Sequence, residues 1–326
     1  SSSSGLCNPA FSFGGATSSQ FGQPPSLGEP AAAAPASVYL PGNEPERNSS
    51  GATFTFALSH FRQLYTEFSG KSFFSYQMQE SVHRIILDYA DRHSISCEDA
   101  DTYFTELYEG AAGASAVNQI GKEALNEVLN DYHLLAVRMY TSSRKLRGRE
   151  LCSILNEAIR KDCVENAMPL VFALNRHIST RFKDGIKWPK NFTLWRGGGL
   201  PAEHRQFFVP GKCYRVPMFL STSDSRAKAE TFLRRGVPHF VLWKINLDPT
   251  EKCKHVNFID RHDGMLDSDP NSSPEAEFLF APYSVFTVES VKWQAKPSKS
   301  NPHLVVISAA VDNRGKDEQL PLAPWA

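Results

Sequence analysis

The segment Leu194-Trp195-Arg196-Gly197-Gly198 brings an arginine to the end of an apolar run and follows it with glycines. A guanidinium is shaped for a two-pronged grip on phosphate, and glycines let a ligand approach the backbone. The plainer alternative is an arginine leaning into solvent, where most arginines sit. Phe219-Leu220-Ser221-Thr222-Ser223 feeds two apolar residues into three hydroxyls. Hydroxyls there can bind a ligand, or can end a strand and cap a helix, with Ser223 or Asp224 as the cap. Pro274-Glu275-Ala276-Glu277-Phe278-Leu279-Phe280 places two carboxylates two residues apart, directly before an apolar strand. In an extended chain such residues share a side, and like charges there repel unless a cation uses them. A charged edge strand that resists aggregation is the alternative.

These segments need elements to hold them. From about residue 52 to 190 the apolar residues recur at helical spacing. Met78, Val82, Ile85, Ile86 and Tyr89 form one stripe, and Leu125, Val128, Leu129, Tyr132 and Leu135 a second. Leu151, Ile154, Leu155, Ala158 and Ile159 form a third, and Val171, Leu174, Ile178 and Phe182 a fourth. After residue 190 the pattern changes to strands at 192–195, 214–221, 240–245, 277–280, 285–291 and 304–309. One helix interrupts them, with Asp224 able to cap it and Ala229, Phe232 and Leu233 as its inner stripe. Arg234-Arg235-Gly236 ends it, the arginines suiting the helix dipole. Helices first and strands second predict an α+β fold, an N-terminal helical part packed on a β core. Gly197-Gly198-Gly199 lacks the spacing of a dinucleotide fingerprint, and a doubly wound sheet is disfavoured.

In the order Arg196, Ser221-Thr222-Ser223, Glu275-x-Glu277, the three segments resemble the signature of the arginine-specific mono-ADP-ribosyltransferases. Residues 275–288, EAEFLFAPYSVFTV, are similar to that family's acidic strand, turn and following strand. Met139-Tyr140-Thr141 and the LCSILNEAIR stretch at 151–160 resemble the family's helical approach to its core. The resemblance spans roughly residues 130–311 and implies a split β-sandwich core. It implies NAD as the substrate that supplies the ADP-ribosyl group, no metal, and a protein acceptor with an exposed arginine. Arg196, with Gly197, would hold the NAD pyrophosphate or the ribose beside it. Ser221 would bind near the nicotinamide ribose and orient Glu277, the catalytic carboxylate. Glu275 would contact the acceptor guanidinium, and Phe232 would stack on nicotinamide or pack in the core. Thr222, β-branched, is read as structural. The turn-rich loop 264–274, with Asp267 and Asp269, would serve acceptor recognition or be a solvated acidic loop. An NAD glycohydrolase with the same pocket and a non-catalytic binding module of the same fold are the competing readings.

The remaining organisation follows from composition. Ser, Gly, Pro and Ala supply 31 of residues 1–50, so that stretch is expected to be a low-complexity arm; its Phe11–Gly14 and Phe21-Gly22 elements resemble nuclear-pore repeats only faintly. Residues 51–129 are expected to be a helical region of open role. Residues 130–311 are expected to form the catalytic domain (helices 130–190, β core 191–311), and 312–326 a tail. Lys+Arg and Asp+Glu balance at 35 each, which argues against a polybasic nucleic-acid binder. No apolar run reaches the roughly 18 residues of a membrane span. No secretory leader opens the chain, and the expectation leans to an intracellular setting. The six cysteines include no C-x-x-C pair, and Cys253, His255 and His262 fit no zinc spacing.

Overall fold

The fold is that of a computed structural model, which describes residues 55–69, 75–112, 132–179, 188–234, 239–259 and 276–324. It is α+β, in the order the sequence patterns predict. The helices are α1 (His60–Phe68), α2 (Ser75–Arg92), α3 (Cys97–Ala112), α4 (Tyr132–Tyr140), α5 (Leu151–Arg160) and α6 (Met168–Ser179). Each buries one apolar stripe, as helical periodicity requires. Met78, Val82, Ile85, Ile86 and Tyr89 of α2 are all buried, as are Leu151, Ile154, Leu155, Ala158 and Ile159 of α5. Val171, Leu174 and Ile178 do the same on α6. Leu125, Val128, Leu129 and Phe182 lie outside the described residues. The stripes meet in one core, which Phe219, Ile259, Leu279 and Tyr283 join from the strand half.

The strands are β1 (Thr193–Gly199), β2 (Cys213–Val216), β3 (Leu220–Ser223), β4 (Phe240–Asn246), β5 (Val256–Ile259), β6 (Glu277–Phe280), β7 (Ser284–Lys292) and β8 (His303–Ala309). They form one hydrogen-bonded sheet in the order β2-β7-β8-β4-β1-β3-β6-β5. All its pairs are antiparallel except β4 with β8. A second core gathers residues from both halves of that sheet, including Leu194, Tyr214, Leu220, Trp243, Phe278, Phe280 and Phe286. Phe280 of β6 and Phe286 of β7 meet edge to face at 5.1 Å, although four strands separate β6 from β7 in the ladder. The sheet is therefore curled, and its two halves pack on one another.

Two elements depart from the sequence pattern. The apolar run 214–221, expected as one strand, is split into β2 and β3 on opposite halves of the sheet. Pro217 stands between them; it has no N–H for a ladder, so the run breaks there and the chain crosses over. The strand β5 went unforeseen, because His255-Val256-Asn257-Phe258 does not alternate cleanly. It gains its place by pairing with β6 and by Asn257 Nδ2, which donates to the His177 carbonyl of α6 at 3.0 Å.

Residues 318–323 run beside β2. The Arg215 N–H donates to the Pro321 carbonyl at 2.9 Å, and the Ala323 N–H to the Arg215 carbonyl at 2.8 Å. Helix layer and sheet are joined where α5 reaches the approach to β3. Asn156 Nδ2 donates to the Phe219 carbonyl at 3.2 Å, and the Phe219 N–H donates to Asn156 Oδ1 at 2.9 Å. One amide thus satisfies both backbone groups of a residue that enters no ladder, two positions before Ser221. Asn156→Ala should lower unfolding stability by about 1–3 kcal/mol, the cost of stranding such buried groups. Chemical denaturation reads this, and unchanged stability would contradict the clamp.

Candidate functional site

The ladder β1-β3-β6 sets three of the chemistry-bearing side chains on neighbouring strands. Trp195 pairs with Ser223, and Ser223 in turn pairs with Glu277. Arg196, Ser221 and Glu277 all line one cavity of about 90 Å³, together with Gly197, Lys228 and Phe232. The Arg196 Nη1 donates to the Ser221 carbonyl at 2.7 Å, which fixes the guanidinium across the β1-β3 pair. Burial pulls the Arg196 pKa down, and the charges of Tyr140 and Glu277 push it back up. The guanidinium remains a cation near neutral pH, since an arginine starts from so high a value.

Glu277 is 8% exposed. A carboxylate so placed needs a cationic or hydrogen-bonding environment, and the Arg196 guanidinium supplies the nearby positive charge. Behind both lies Tyr140, the last residue of α4, fully buried and packed on Phe219 with ring centroids 5.5 Å apart. Burial raises its phenol pKa well above the usual value, with Cys152 and Glu277 adding to the rise and Asn156 and Arg196 opposing it. Tyr140 therefore stays neutral behind the two charges. Sequence reasoning placed Tyr140 in a family-like motif and assigned it no role. Lys228, a second cation at the cavity, was missed; it sits one turn before Phe232 on the interrupting helix.

That helix, α7 (Arg226–Thr231), runs on into a 3-10 turn over Phe232–Arg234. Ser225, rather than Ser223 or Asp224, caps it by accepting from the Lys228 N–H at 3.2 Å. Ser223 instead accepts from the Ser225 N–H at 3.1 Å. Ala229 and Leu233 are buried, whereas Phe232 is half-buried and lines the cavity. Thr222 is structural, its hydroxyl donating to the Phe278 carbonyl at 2.7 Å.

Gly197 serves a purpose that the sequence reading did not assign. A Cβ built on it would fall 2.0 Å from the Ala229 carbonyl oxygen. The missing side chain lets α7 press against β1, and so brings Lys228 and Phe232 to the cavity. The strand β6 begins at Glu277, and Ala276 has φ +43°, a left-handed conformation uncommon for a residue with a Cβ. The backbone is therefore not extended at Ala276. Glu275, Asp267 and Asp269 lie outside the described residues. Of the cysteine–histidine group, Cys253 is buried and in no disulfide, and His255 contacts Ser284 Oγ at 2.8 Å and the Ala310 carbonyl at 2.7 Å. His262 lies outside the described residues. No helix among the described residues is long and apolar enough to cross a membrane.

No protein-family model matches the chain, and no curated protein matches it. Among solved structures it is similar to the ADP-ribosyltransferase HopU1 of Pseudomonas syringae pv. Tomato DC3000, at 17% identity, over 72% of this chain and 97% of that one, with a TM-score of 0.39. It is similar to exoenzyme S from Pseudomonas aeruginosa, solved with human 14-3-3 protein beta and carba-NAD, at 15% identity, over 64% and 92%, with a TM-score of 0.37. It is also similar to the Vis toxin, an ADP-ribosyltransferase from Vibrio splendidus, at 15% identity, over 78% and 87%, with a TM-score of 0.31. Likenesses this distant do not assign an activity, and the functional reading rests on the site itself.

Substitutions at two positions test the backbone of the site. Gly197→Ala should cost about 1–3 kcal/mol by forcing α7 off β1, and should weaken any ligand held at Phe232. Ala276→Val should destabilise by more than about 1 kcal/mol while Ala276→Gly is tolerated, because a β-branched residue resists positive φ. Thermal unfolding of the three variants checks both expectations.

Proposed function

We propose that this chain cleaves the nicotinamide–ribose bond of NAD and transfers the ADP-ribosyl group to an arginine of a protein acceptor. The observation that carries the reading is the convergence of Arg196, Ser221 and Glu277, from three adjacent strands, on one cavity that Phe232 also lines. The bond is glycosidic, and its cleavage passes through an oxocarbenium-like state. The departing nicotinamide is already cationic, so its loss needs no general acid. What the reaction needs is a fixed dinucleotide, a negative charge near the developing positive ribose, and a positioned nucleophile.

The residues fit those demands. A cavity of about 90 Å³ is below the roughly 300–1,000 Å³ of a whole small-molecule site. It suits one ring and its sugar edge, with the rest of the dinucleotide running outward. Arg196 and Lys228 would meet the phosphates, and Phe232 would stack on the nicotinamide. Glu277, kept from water, would accept a hydrogen bond from the ribose 2′-hydroxyl and stabilise the cation as it forms; its attraction grows in the transition state. Ser221 would hold the ribose edge and the orientation of Glu277. Glu275 would steer the acceptor guanidinium and take up its proton during attack, a step a permanently charged guanidinium requires. Asp267 and Asp269 would add negative potential that draws a basic target.

Incubation with NAD, with and without agmatine as a soluble guanidine, tests the reading. The expected product is ADP-ribosylagmatine; free ADP-ribose alone would assign a glycohydrolase instead. Glu277→Gln should lower transfer at least about a hundredfold with folding kept, the scale of losing a preorganised electrostatic contact. Near-normal turnover in that variant would refute the assignment. Glu275→Gln should abolish transfer to agmatine yet spare slow NAD hydrolysis, and equal loss of both would contradict its acceptor role.

A further inference from the structure

A second cavity, of about 580 Å³, opens beyond the far end of β6. None of the residues of the candidate active site lines it. Its size falls within the range of sites that enclose a whole small molecule. Aromatic rings supply much of its wall. Phe56 and Phe61 each pack on Tyr283, with centroids 4.8 and 4.7 Å apart, and Phe61 stacks on Tyr65 at 5.7 Å. Phe61 and Tyr283 are buried, while Phe56 and Tyr65 keep partial exposure.

Charge is unbalanced there. Arg215, Lys254, Arg314 and Lys316 line the cavity against two carboxylates, Asp312 and Glu318. Asp312 is shared by Lys254 at 3.5 Å and Arg314 at 2.7 Å, and Glu318 is already bonded to Arg62 at 2.6 Å. The deepest cation is Arg215, 2% exposed. Its guanidinium lies over the Phe56 ring at 4.9 Å and donates to the Tyr283, Lys316 and Asp317 carbonyls, at 2.9 to 3.3 Å, and to no carboxylate. The Glu318 and Asp317 carboxylates act on this charge from a distance without bonding it, and an anion taken up from solution would add the direct contact that a buried guanidinium favours. Asn175 adds a directional cue. It lines the same cavity, is 7% exposed, and its side-chain carbonyl oxygen has no hydrogen-bond partner. An acceptor so placed asks for a donor on the ligand.

We propose that this cavity binds a planar aromatic anion that carries a hydrogen-bond donor on its ring, with the ring among Phe56, Phe61, Tyr65 and Tyr283. The anionic group sits toward Arg215, Lys254 and Lys316, and the ring donor faces Asn175. Nucleotide phosphates and aromatic carboxylates share this chemistry. Residues 281–283, the turn that follows β6, form part of the wall, so an occupant would touch the segment that leads back to Glu277.

Isothermal titration of the full chain with AMP and, separately, with 4-aminobenzoate tests the proposal and distinguishes the two sources; adenosine serves as the uncharged control. At least one of the two anions should bind, and adenosine should bind at least about tenfold more weakly than AMP. The Lys254→Glu/Lys316→Glu double variant should weaken anion binding at least about tenfold. Ser179→Trp, at an exposed position on the rim, should do the same by filling space. Neither change touches the NAD site, so NAD turnover without added anion should stay unchanged in both. Failure of both anions to bind at millimolar concentration, or binding that survives both variants, would overturn the proposal.

Discussion

The site depends on holding one carboxylate out of water beside one guanidinium. Glu277 is nearly covered, and Arg196 is fixed against the Ser221 carbonyl by a 2.7 Å hydrogen bond. Each charge would be costly to bury alone; near one another they are tolerated. The antiparallel ladder β1-β3-β6 is what makes the arrangement rigid. Backbone hydrogen bonds set the strand spacing, and the three neighbouring strands bring the two charged residues and the serine to one cavity.

The helical layer acts on that ladder from behind. Asn156 of α5 holds the Phe219 backbone from both sides, and Tyr140 of α4 packs on the Phe219 ring while lying near both charges. A residue between two strands has no ladder partners of its own, so without the amide its position would be loose. On the other face, the absence of a side chain at Gly197 lets a short helix bring Lys228 and Phe232 to the cavity. The four residues of β6 then separate two different environments. One end presents Glu277 to the small polar cavity, and the other leads into the turn that walls the larger, cation-rich one.

Much of this was legible in the residues. The stripes of α2, α5 and α6 are buried as their spacing requires, and β6 spans the four residues expected of it. Arg196, Ser221, Phe232 and Glu277, singled out for their types and order, meet at one cavity. The misreadings have local causes. Pro217 marks a break in the apolar run 214–221, but both halves of the run are buried strands, so the apolar pattern alone reads as one strand. The cap of α7 moved to Ser225 because adjacent hydroxyls compete for the same N–H groups, and only the path of the chain decides between them.

The sequence by itself determined which side chains could do chemistry, which segments would be helix or strand, and which faces would be buried, since these follow from residue type and period. Only the tertiary structure decided that β3 lies between β1 and β6, that Gly197 is spent on a helix contact, and that the Arg215 guanidinium is buried against backbone carbonyls. These are relations between residues distant along the chain. They are settled by packing and hydrogen-bond satisfaction across the whole molecule, which no local pattern encodes.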